Sequence, residues 1–298
     1  MRPTDRVAAP ADLAATLAGV RALLLDMDGV LVGKGEPIRG APEALVRLEA
    51  AGIPYRLVTN TSLASRSTLA RHLARAGMTI PPERIVSAAS ASAAYAARVF
   101  PGGRLYVLAS ADARTEFDGS GLRLLRHEEV DRGEPADAVA VGDSTEELTY
   151  ANLNRAFRLI MDGAVLLAMH KNRWWLTPEG RTLDSGAMVA GLEFATERRA
   201  RIVGKPSRAF FRAGFDGLAA EVHAAGGARF HHGEVAMVGD DLWNDIFGAQ
   251  RAGFRGILVL TGKHSRADAV RAAARARGGG RPDAISPSIV EVAAALAG

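Results

Sequence analysis

Short apolar runs that alternate with stretches of helical periodicity constrain the fold of this 298-residue chain most strongly. Strands that alternate with helices build parallel sheets, and such strands are apolar along their whole length because helices cover both faces. We therefore expect a doubly wound α/β fold with parallel sheets. The expected strands are residues 22–25, 55–58, 105–108, 138–141, 165–169, 201–203, 235–238 and 257–260.

Local signals place helices between these strands. Pro42 is typical of a first helical turn, and Gly52 is typical of the position past a helix end. Ser144 and Glu147 have the spacing of a capping box, which predicts a helix start there. The Ala/Arg/Gly-rich tract at 272–281 is interpreted as a solvated loop without chemistry.

Composition excludes several classes of protein. Lys and Arg number 37 against 33 Asp and Glu, so no strong basic field favours a nucleic-acid partner. The chain has no Cys, which excludes disulfides and thiolate metal sites. Asp5 and Asp12 interrupt any N-terminal signal segment, and the most apolar stretch, 20–32, contains charges. We expect a cytoplasmic protein that is not inserted in a membrane.

Two acids follow the first apolar run directly, in Asp26-Met27-Asp28-Gly29. Ligands of open α/β sheets gather at the carboxyl ends of the strands, so Asp26 and Asp28 are expected at the mouth of such a crevice. Gly29 permits a backbone turn that other residues avoid. The alternative is a strand that simply ends in two solvated aspartates.

Two further strand ends carry groups suited to a phosphate. The run 55–58 leads into Thr59 and Asn60, whose hydroxyl and amide can bind phosphate oxygens, although such residues often cap the next helix. The run 201–203 leads to Lys205, which alone is typical of a surface residue. Neither strand end decides a function by itself.

A second group of acids follows the run 235–238. Clustered carboxylates are costly unless a cation neutralises them. If a helix begins after Asp240, then Asp241 and Asp245 share one of its faces, and Asp240 is the best direct metal ligand. Capping of a helix N-terminus remains the alternative. Together, the four strand ends favour a site for a hard divalent cation and a phosphoryl group.

These motifs, in this order, resemble those of the haloacid dehalogenase (HAD) superfamily of phosphatases. The stretch between Thr59 and Lys205 resembles the large α/β cap of the NagD-like subclass IIA, and its sequence is most similar to the phospholysine phosphohistidine inorganic pyrophosphate phosphatase branch. The resemblance covers about residues 20–295. The matching motifs are Asp26-Met27-Asp28-Gly29-Val30, Thr59-Asn60, Lys205, and Gly239-Asp240-Asp241 with Asp245.

The resemblance implies a Mg²⁺-dependent phosphatase. In such a mechanism Asp26 attacks phosphorus and forms an aspartyl phosphate, while Asp28 protonates the leaving group and later activates water. An ionised carboxylate is a competent nucleophile, and a neighbouring one can carry the proton in both directions. The dehalogenases of the superfamily lack the second aspartate, so Asp28 disfavours that reaction.

The resemblance also implies ligands. Mg²⁺ is expected on a carboxylate oxygen of Asp26, the backbone carbonyl of Asp28 and the side chain of Asp240. Asp245 is expected behind these ligands, and Asp241 either contacts a metal-bound water or caps a helix. The residues expected to bind the phosphoryl oxygens or offset their charge are Thr59, Asn60 and Lys205.

A two-domain organisation follows from the same resemblance. A Rossmann-like HAD core is expected to comprise residues 1–84 and 196–298, with an inserted α/β cap at 85–195 that selects the substrate. The substrate is expected to be a small phosphate ester, phosphoamide or pyrophosphate. Similar enzymes often form homodimers through the cap. The roles of five cap residues stay open: His170, Lys171, Asn172, Trp174 and Trp175.

Two other functions compete with this one. A regulatory phospho-acceptor without enzymatic activity could use the same acidic Mg²⁺ site, but a resident base such as Asp28 shortens the life of the phosphorylated form. A P-loop kinase or NTPase needs a G-x-x-x-x-G-K-[ST] motif that the chain lacks. Asp143, although it follows Gly142 at a strand end, is interpreted as part of a helix start and not as catalytic.

Overall fold

The computed structural model describes residues 12–177, 179–275 and 280–298. These residues form two compact units. The first contains the described residues of Met1–Val58, Leu73–Ile80 and Phe211–Gly298, and the second contains those of Thr59–His72 and Pro81–Phe210. Asp5 and residues 276–279 of the Ala/Arg/Gly-rich tract lie outside the described residues.

The described residues contain the eight expected strands, whose ends agree with the expected positions to within two residues, and seven further strands that the sequence patterns did not indicate. In chain order they are β1 (Ala22–Leu25), β2 (Val32–Gly33), β3 (Glu36–Pro37), β4 (Tyr55–Thr59), β5 (Ile85–Ser87), β6 (Arg104–Leu108), β7 (Arg123–Leu124), β8 (Ala138–Val141), β9 (Val165–Ala168), β10 (Trp174–Thr177), β11 (Gly180–Leu183), β12 (Arg201–Ile202), β13 (Val235–Gly239), β14 (Arg255–Val259) and β15 (Ala284–Ser286).

The helices lie between the strands, as the alternating pattern predicts. Short 3₁₀ turns occupy Pro82–Arg84, Thr115–Phe117 and His232–Glu234, and a π-helical turn occupies Leu242–Ile246. The α-helices are α1 (Leu13–Leu17), α2 (Ala41–Ala50), α3 (Arg66–Arg75), α4 (Ala88–Val99), α5 (Ala111–Arg114), α6 (His127–Asp131), α7 (Tyr150–Met161), α8 (Gly186–Thr196), α9 (Arg208–Ala224), α10 (Phe247–Arg251), α11 (Arg266–Arg275) and α12 (Ile289–Ala297).

Five parallel strands of the first unit lie side by side in the order β15-β14-β13-β1-β4. Every residue of β1 and β13 is buried, as expected for central strands covered on both faces. Leu25 pairs with Val238, so these two strands end at the same level. The acids that follow them are therefore neighbours in space.

The second unit contains another parallel sheet, in the order β12-β9-β8-β6-β7. Its central strands β6, β8 and β9 are apolar and almost wholly buried. Because the strands are parallel, the loops that follow β8, β9 and β12 leave the sheet from the same edge. Two antiparallel hairpins lie outside these two sheets, one formed by β2 and β3 and the other by β10 and β11.

The structure confirms the expected α/β class and corrects two local predictions. Ser144 and Glu147 do not begin a helix: the Ser144 hydroxyl accepts from the Glu147 amide at 3.0 Å in a turn, and α7 begins only at Tyr150. Residues 272–275 of the supposed loop form the end of α11. None of the helices in the described ranges combines the length and apolarity that a membrane span requires.

Candidate active site

Asp26 and Asp28 lie in a tight turn at the end of β1. Asp26 is 6% exposed, and its Oδ1 accepts a hydrogen bond from the Met27 amide at 2.8 Å. Gly29 has a φ of 78°, and its amide donates to the Val32 carbonyl at 2.7 Å. This left-handed conformation favours glycine and turns the chain back within a few residues, which leaves Asp28 exposed.

The second acidic group surrounds the π-helical turn after β13. Asp245 is fully buried, and its Oδ2 accepts from the Asp241 amide at 3.0 Å. Asp241 is the N-cap, because its Oδ1 accepts from the amides of Trp243 and Asn244 at 2.9 and 3.1 Å. The capping role expected as one alternative for Asp241 is therefore present.

Three of these carboxylates converge in the first unit. Asp26, Asp240 and Asp245 are all buried and each offers an oxygen within 4.8 Å of the others. Three ionised carboxylates at such spacing repel one another strongly in a buried site unless a cation lies among them. An all-oxygen donor set of this kind suits a hard divalent cation such as Mg²⁺ or Ca²⁺.

Glycines let the main chain pack directly against this cluster. A Cβ at Gly29 would lie 2.2 Å from Asp240 Oδ2, and a Cβ at Gly262 would lie 1.9 Å from the same atom. A Cβ at Gly239 would lie 2.4 Å from Asp245. These three glycines are called the glycine cradle below, and at their positions there is no room for a side chain beside the two acids.

The loop after β14 supplies neighbours that the sequence patterns did not single out. The Lys263 amide donates to Asp240 Oδ2 at 2.6 Å, and the Lys263 ammonium lies 2.8 Å from Asp241 Oδ2. Burial raises the pKa of Asp241, but the Lys263 charge and the capping hydrogen bonds outweigh this and lower it. The available signal was Thr261-Gly262-Lys263 after another apolar run, again at a strand end.

Thr59, Asn60 and Lys205 belong to the second unit. Thr59 is buried, and its hydroxyl accepts from the Thr61 amide at 3.1 Å. The Asn60 side chain holds the backbone of Lys205: its Oδ1 accepts from the Lys205 amide at 2.8 Å, and its Nδ2 donates to the Lys205 carbonyl at 3.1 Å. Lys205 itself is 2% exposed, so it is not a surface lysine.

The residues whose roles were left open differ in their surroundings. His170 is fully enclosed, and Lys171 forms an ion pair with Glu193. Trp174 packs against Arg181, whose guanidinium carbon lies 4.8 Å from the ring centre, while Trp175 is 42% exposed. The hairpin of β10 and β11 therefore presents an aromatic side chain at its surface.

Comparison with known protein families gives matches over both ends of the chain. Residues 23–123 match the family described as haloacid dehalogenase-like hydrolase, and residues 202–292 match the family described as HAD-hydrolase-like. These two regions contain the acidic cluster, the glycine cradle and Lys205.

Similar proteins align over most of the chain. The haloacid dehalogenase-like hydrolase domain-containing protein 2 of Bos taurus is 35% identical over 254 residues, which are 85% of this chain and 89% of that protein. The phospholysine phosphohistidine inorganic pyrophosphate phosphatase of Homo sapiens is 34% identical over 258 residues, 85% of this chain and 87% of that protein. A solved structure of glycerol phosphate phosphatase from Mycobacterium tuberculosis in complex with magnesium superimposes with a TM-score of 0.77 and 29% identity, covering 93% of this chain and 77% of that one.

Proposed function

Because this chain belongs to the haloacid dehalogenase-like hydrolase family, we propose that it is a Mg²⁺-dependent phosphatase that works through an aspartyl-phosphate intermediate. The observation that carries the proposal is the convergence of three buried carboxylates, Asp26, Asp240 and Asp245, at the ends of adjacent strands. A nucleophilic carboxylate and a cation site thus occupy the same place in the first unit.

The donor set fits the cation that the family implies. We assign the side chains of Asp26 and Asp240 and the backbone carbonyl of Asp28 as its ligands, with Asp245 supporting Asp240 from behind. The buried trio consists of oxygen donors only, which is the chemistry that Mg²⁺ prefers. When bound, Mg²⁺ supplies positive charge that offsets the negative charge of the phosphoryl group.

Asp26 and Asp28 divide the covalent chemistry between them. A carboxylate oxygen of Asp26 forms a bond to phosphorus, the bond from phosphorus to the leaving oxygen breaks, and Asp28 gives that oxygen its proton. Asp28 then takes a proton from water, whose oxygen attacks phosphorus and frees Asp26 and inorganic phosphate. The exposure of Asp28 suits a group that must exchange protons with solvent and substrate.

We assign Thr59, Asn60 and Lys205 to the part of the site that binds and surrounds the phosphoryl group. Lys205 supplies a cation that offsets the phosphoryl charge, and Thr59 supplies a hydroxyl. Since both polar atoms of the Asn60 side chain form hydrogen bonds with the Lys205 backbone, we propose that Asn60 holds the loop of Lys205 in place.

We propose that residues 1–84 and 196–298 form the core and that residues 85–195 form the cap.

The substrate is proposed to be a small phosphorylated metabolite. The names of the relatives include glycerol phosphate, phospholysine, phosphohistidine and inorganic pyrophosphate, so an ester, a phosphoamide and a pyrophosphate are all candidates.

We also propose a homodimer formed through the cap. Tyr150 and Phe194 of the second unit, which are 87% and 89% exposed, support such a contact.

Replacement of the nucleophile tests the proposal. Asp26→Asn should lower the release of inorganic phosphate from p-nitrophenyl phosphate by about 1,000-fold or more while the protein stays folded, since a residue of the covalent step is lost. Asp118→Asn, an exposed acid outside the site, is the matched control and should retain full activity. Near-normal turnover in Asp26→Asn would contradict the mechanism, and a stable phosphoprotein without phosphate release in the wild type would favour the regulatory phospho-acceptor.

A further inference from the structure

A buried polar network lies in the second unit, apart from the acidic cluster of the first. His170 follows β9 and is 1% exposed. Its Nε2 lies 2.9 Å from Oδ2 of Asp143, which follows β8, and 3.0 Å from the hydroxyl of Ser62, which follows β4. Asp184, just before α8, lies 3.7 Å from the same ring nitrogen. Four loops therefore meet at one imidazole.

Ser62 and Asp143 are in direct contact through hydrogen bonds. The Asp143 amide donates to the Ser62 hydroxyl at 2.9 Å, and Asp143 Oδ1 accepts from the Ser185 amide at 2.8 Å. A Cβ at Gly142 would lie 3.1 Å from the Ser62 Cβ and 2.6 Å from Met169 Sδ. Glycine at position 142 thus allows the Ser62 loop to approach the ends of β8 and β9.

The end of β9 holds the Lys205 loop as well. The Gly204 amide donates to the Met169 carbonyl at 2.7 Å, and a Cβ at Gly204 would lie 2.3 Å from that oxygen. Asn60 then joins the two loops directly through its pair of hydrogen bonds to the Lys205 backbone. Met169 and His170 are consecutive residues, so one short segment supports both loops.

The charges of the network keep His170 as a donor to Asp143. Burial lowers the pKa of His170, but its hydrogen bond to Asp143 and the charges of Asp184 and Asp143 outweigh this and raise it. A buried hydrogen bond to an ionised carboxylate is stronger than one between neutral groups. This favours a rigid arrangement of Ser62, Asp143 and His170, which are called the joint below.

We propose that His170, Asp143 and Ser62 are positioning residues, which hold the loop of Thr59 and Asn60 at a fixed spacing from Lys205 for phosphate binding. This inference rests on the proposed function, which assigns the two loops to the phosphoryl group. Misplacement of binding groups by about 1 Å can reduce an enzymatic rate about 100-fold, so a distant joint of this kind acts on the reaction without touching substrate.

Three variants of the full-length protein in Mg²⁺ buffer test the inference. Ser62→Ala and His170→Leu remove hydrogen bonds of the joint, whereas His170→Gln keeps a neutral donor. We expect the first two to weaken the binding of inorganic phosphate, measured by calorimetry, about tenfold. They should also speed amide hydrogen exchange at residues 59–62 and lower kcat/KM for p-nitrophenyl phosphate by at least the same factor. His170→Gln should retain most of the phosphate affinity, exchange protection and kcat/KM that His170→Leu loses.

The matched control is His127→Gln. This histidine also belongs to the second unit and also faces a carboxylate, with Nε2 3.3 Å from Glu147, but its ring bonds Tyr106 and not the Ser62 loop. It should leave all three measurements unchanged. If His170→Leu does not fold, Ser62→Ala alone tests the positioning role.

Unchanged phosphate affinity and unchanged exchange at residues 59–62 in Ser62→Ala would overturn the positioning role. A loss that His170→Gln fails to recover in any measurement would overturn it too. Calorimetry and exchange do not depend on turnover, so they still test the joint if the wild type hydrolyses no phosphate. That last result would count against the proposed function alone.

Discussion

Asp143 and Asp184 face the same buried histidine, but their charges should act on stability in opposite directions. Asp143 Oδ2 lies 2.9 Å from His170 Nε2, whereas the nearest Asp184 oxygen lies 3.7 Å away. We expect Asp143→Asn to destabilise the folded protein at pH 7.5 and Asp184→Asn to leave it unchanged or stabilise it.

The magnitudes follow from the pKa values of the two carboxyls. Burial raises the pKa of Asp143, but the hydrogen bond from His170 and its charge outweigh this, so the pKa falls from 3.8 to about 2. Burial, joined by repulsion from Asp143, raises the pKa of Asp184 from 3.8 to about 6. One pKa unit corresponds to about 1.4 kcal/mol, so the ionised Asp143 stabilises the fold by about 2 kcal/mol and the ionised Asp184 destabilises it by about 3 kcal/mol.

The pH dependence has opposite sign for the two groups. The contribution of Asp143 is present above pH 3.8 and is lost as the pH falls through about 2. The penalty at Asp184 is present above pH 6 and disappears as the pH falls from about 6 to 3.8. The advantage of Asp184→Asn should therefore be largest at pH 7.5 and should shrink toward pH 4.5.

Urea unfolding at pH 7.5 and 4.5 measures both effects. Asp131→Asn is the control, because Asp131 forms a half-exposed ion pair with Arg155, and ion pairs in contact with solvent contribute little to the free energy of unfolding. Asparagine at 184 can still accept from the Ser185 amide, which Asp184 Oδ1 binds at 2.8 Å. Equal destabilisation by Asp143→Asn and Asp184→Asn at pH 7.5 would refute the reasoning.

Two further predictions concern the acidic cluster and the glycine cradle. Chelation of divalent ions should abolish phosphate release and added Mg²⁺ should restore it, while Asp240→Asn should raise the Mg²⁺ concentration for half-maximal activity at least about tenfold; activity of the wild type in chelator would contradict this. Gly29→Ala should lower the free energy of unfolding in urea by about 1–3 kcal/mol more than Gly35→Ala, because both have positive φ but only Gly29 has an atom within 4 Å of the added Cβ. Equal losses in the two variants would show that contact with Asp240 is unimportant.

The buried central strands and the acids that follow them were predictable because both signals are local in the sequence. A strand buried on both faces must be apolar, and a charge that directly follows it marks the sheet edge. The strand order was not predictable in the same way. Residues after β1 and β13 meet because these strands are adjacent, and this adjacency joins Leu25 and Val238, which are far apart in sequence.

The buried network of the second unit shows why the rest escaped the sequence patterns. Ser62 is 81 residues from Asp143, and Asp143 is 27 residues from His170, so no spacing rule connects them. Ser144 and Glu147 do form the hydrogen bond of a cap, but the chain continues as a turn, and Thr149 caps α7 instead. A local motif was thus present without the helix that it usually begins.

The glycine cradle also bears on how the protein could be engineered. The main chain of the glycine cradle packs directly against Asp240 and Asp245. Mutation can replace side chains, but it cannot replace these backbone atoms. A mutant library aimed at these acids can vary neighbouring side chains such as Lys263, but not the main chain. Selections for new catalytic range should therefore randomise the exposed face of the hairpin that carries Trp175 and leave positions 29, 239 and 262 fixed.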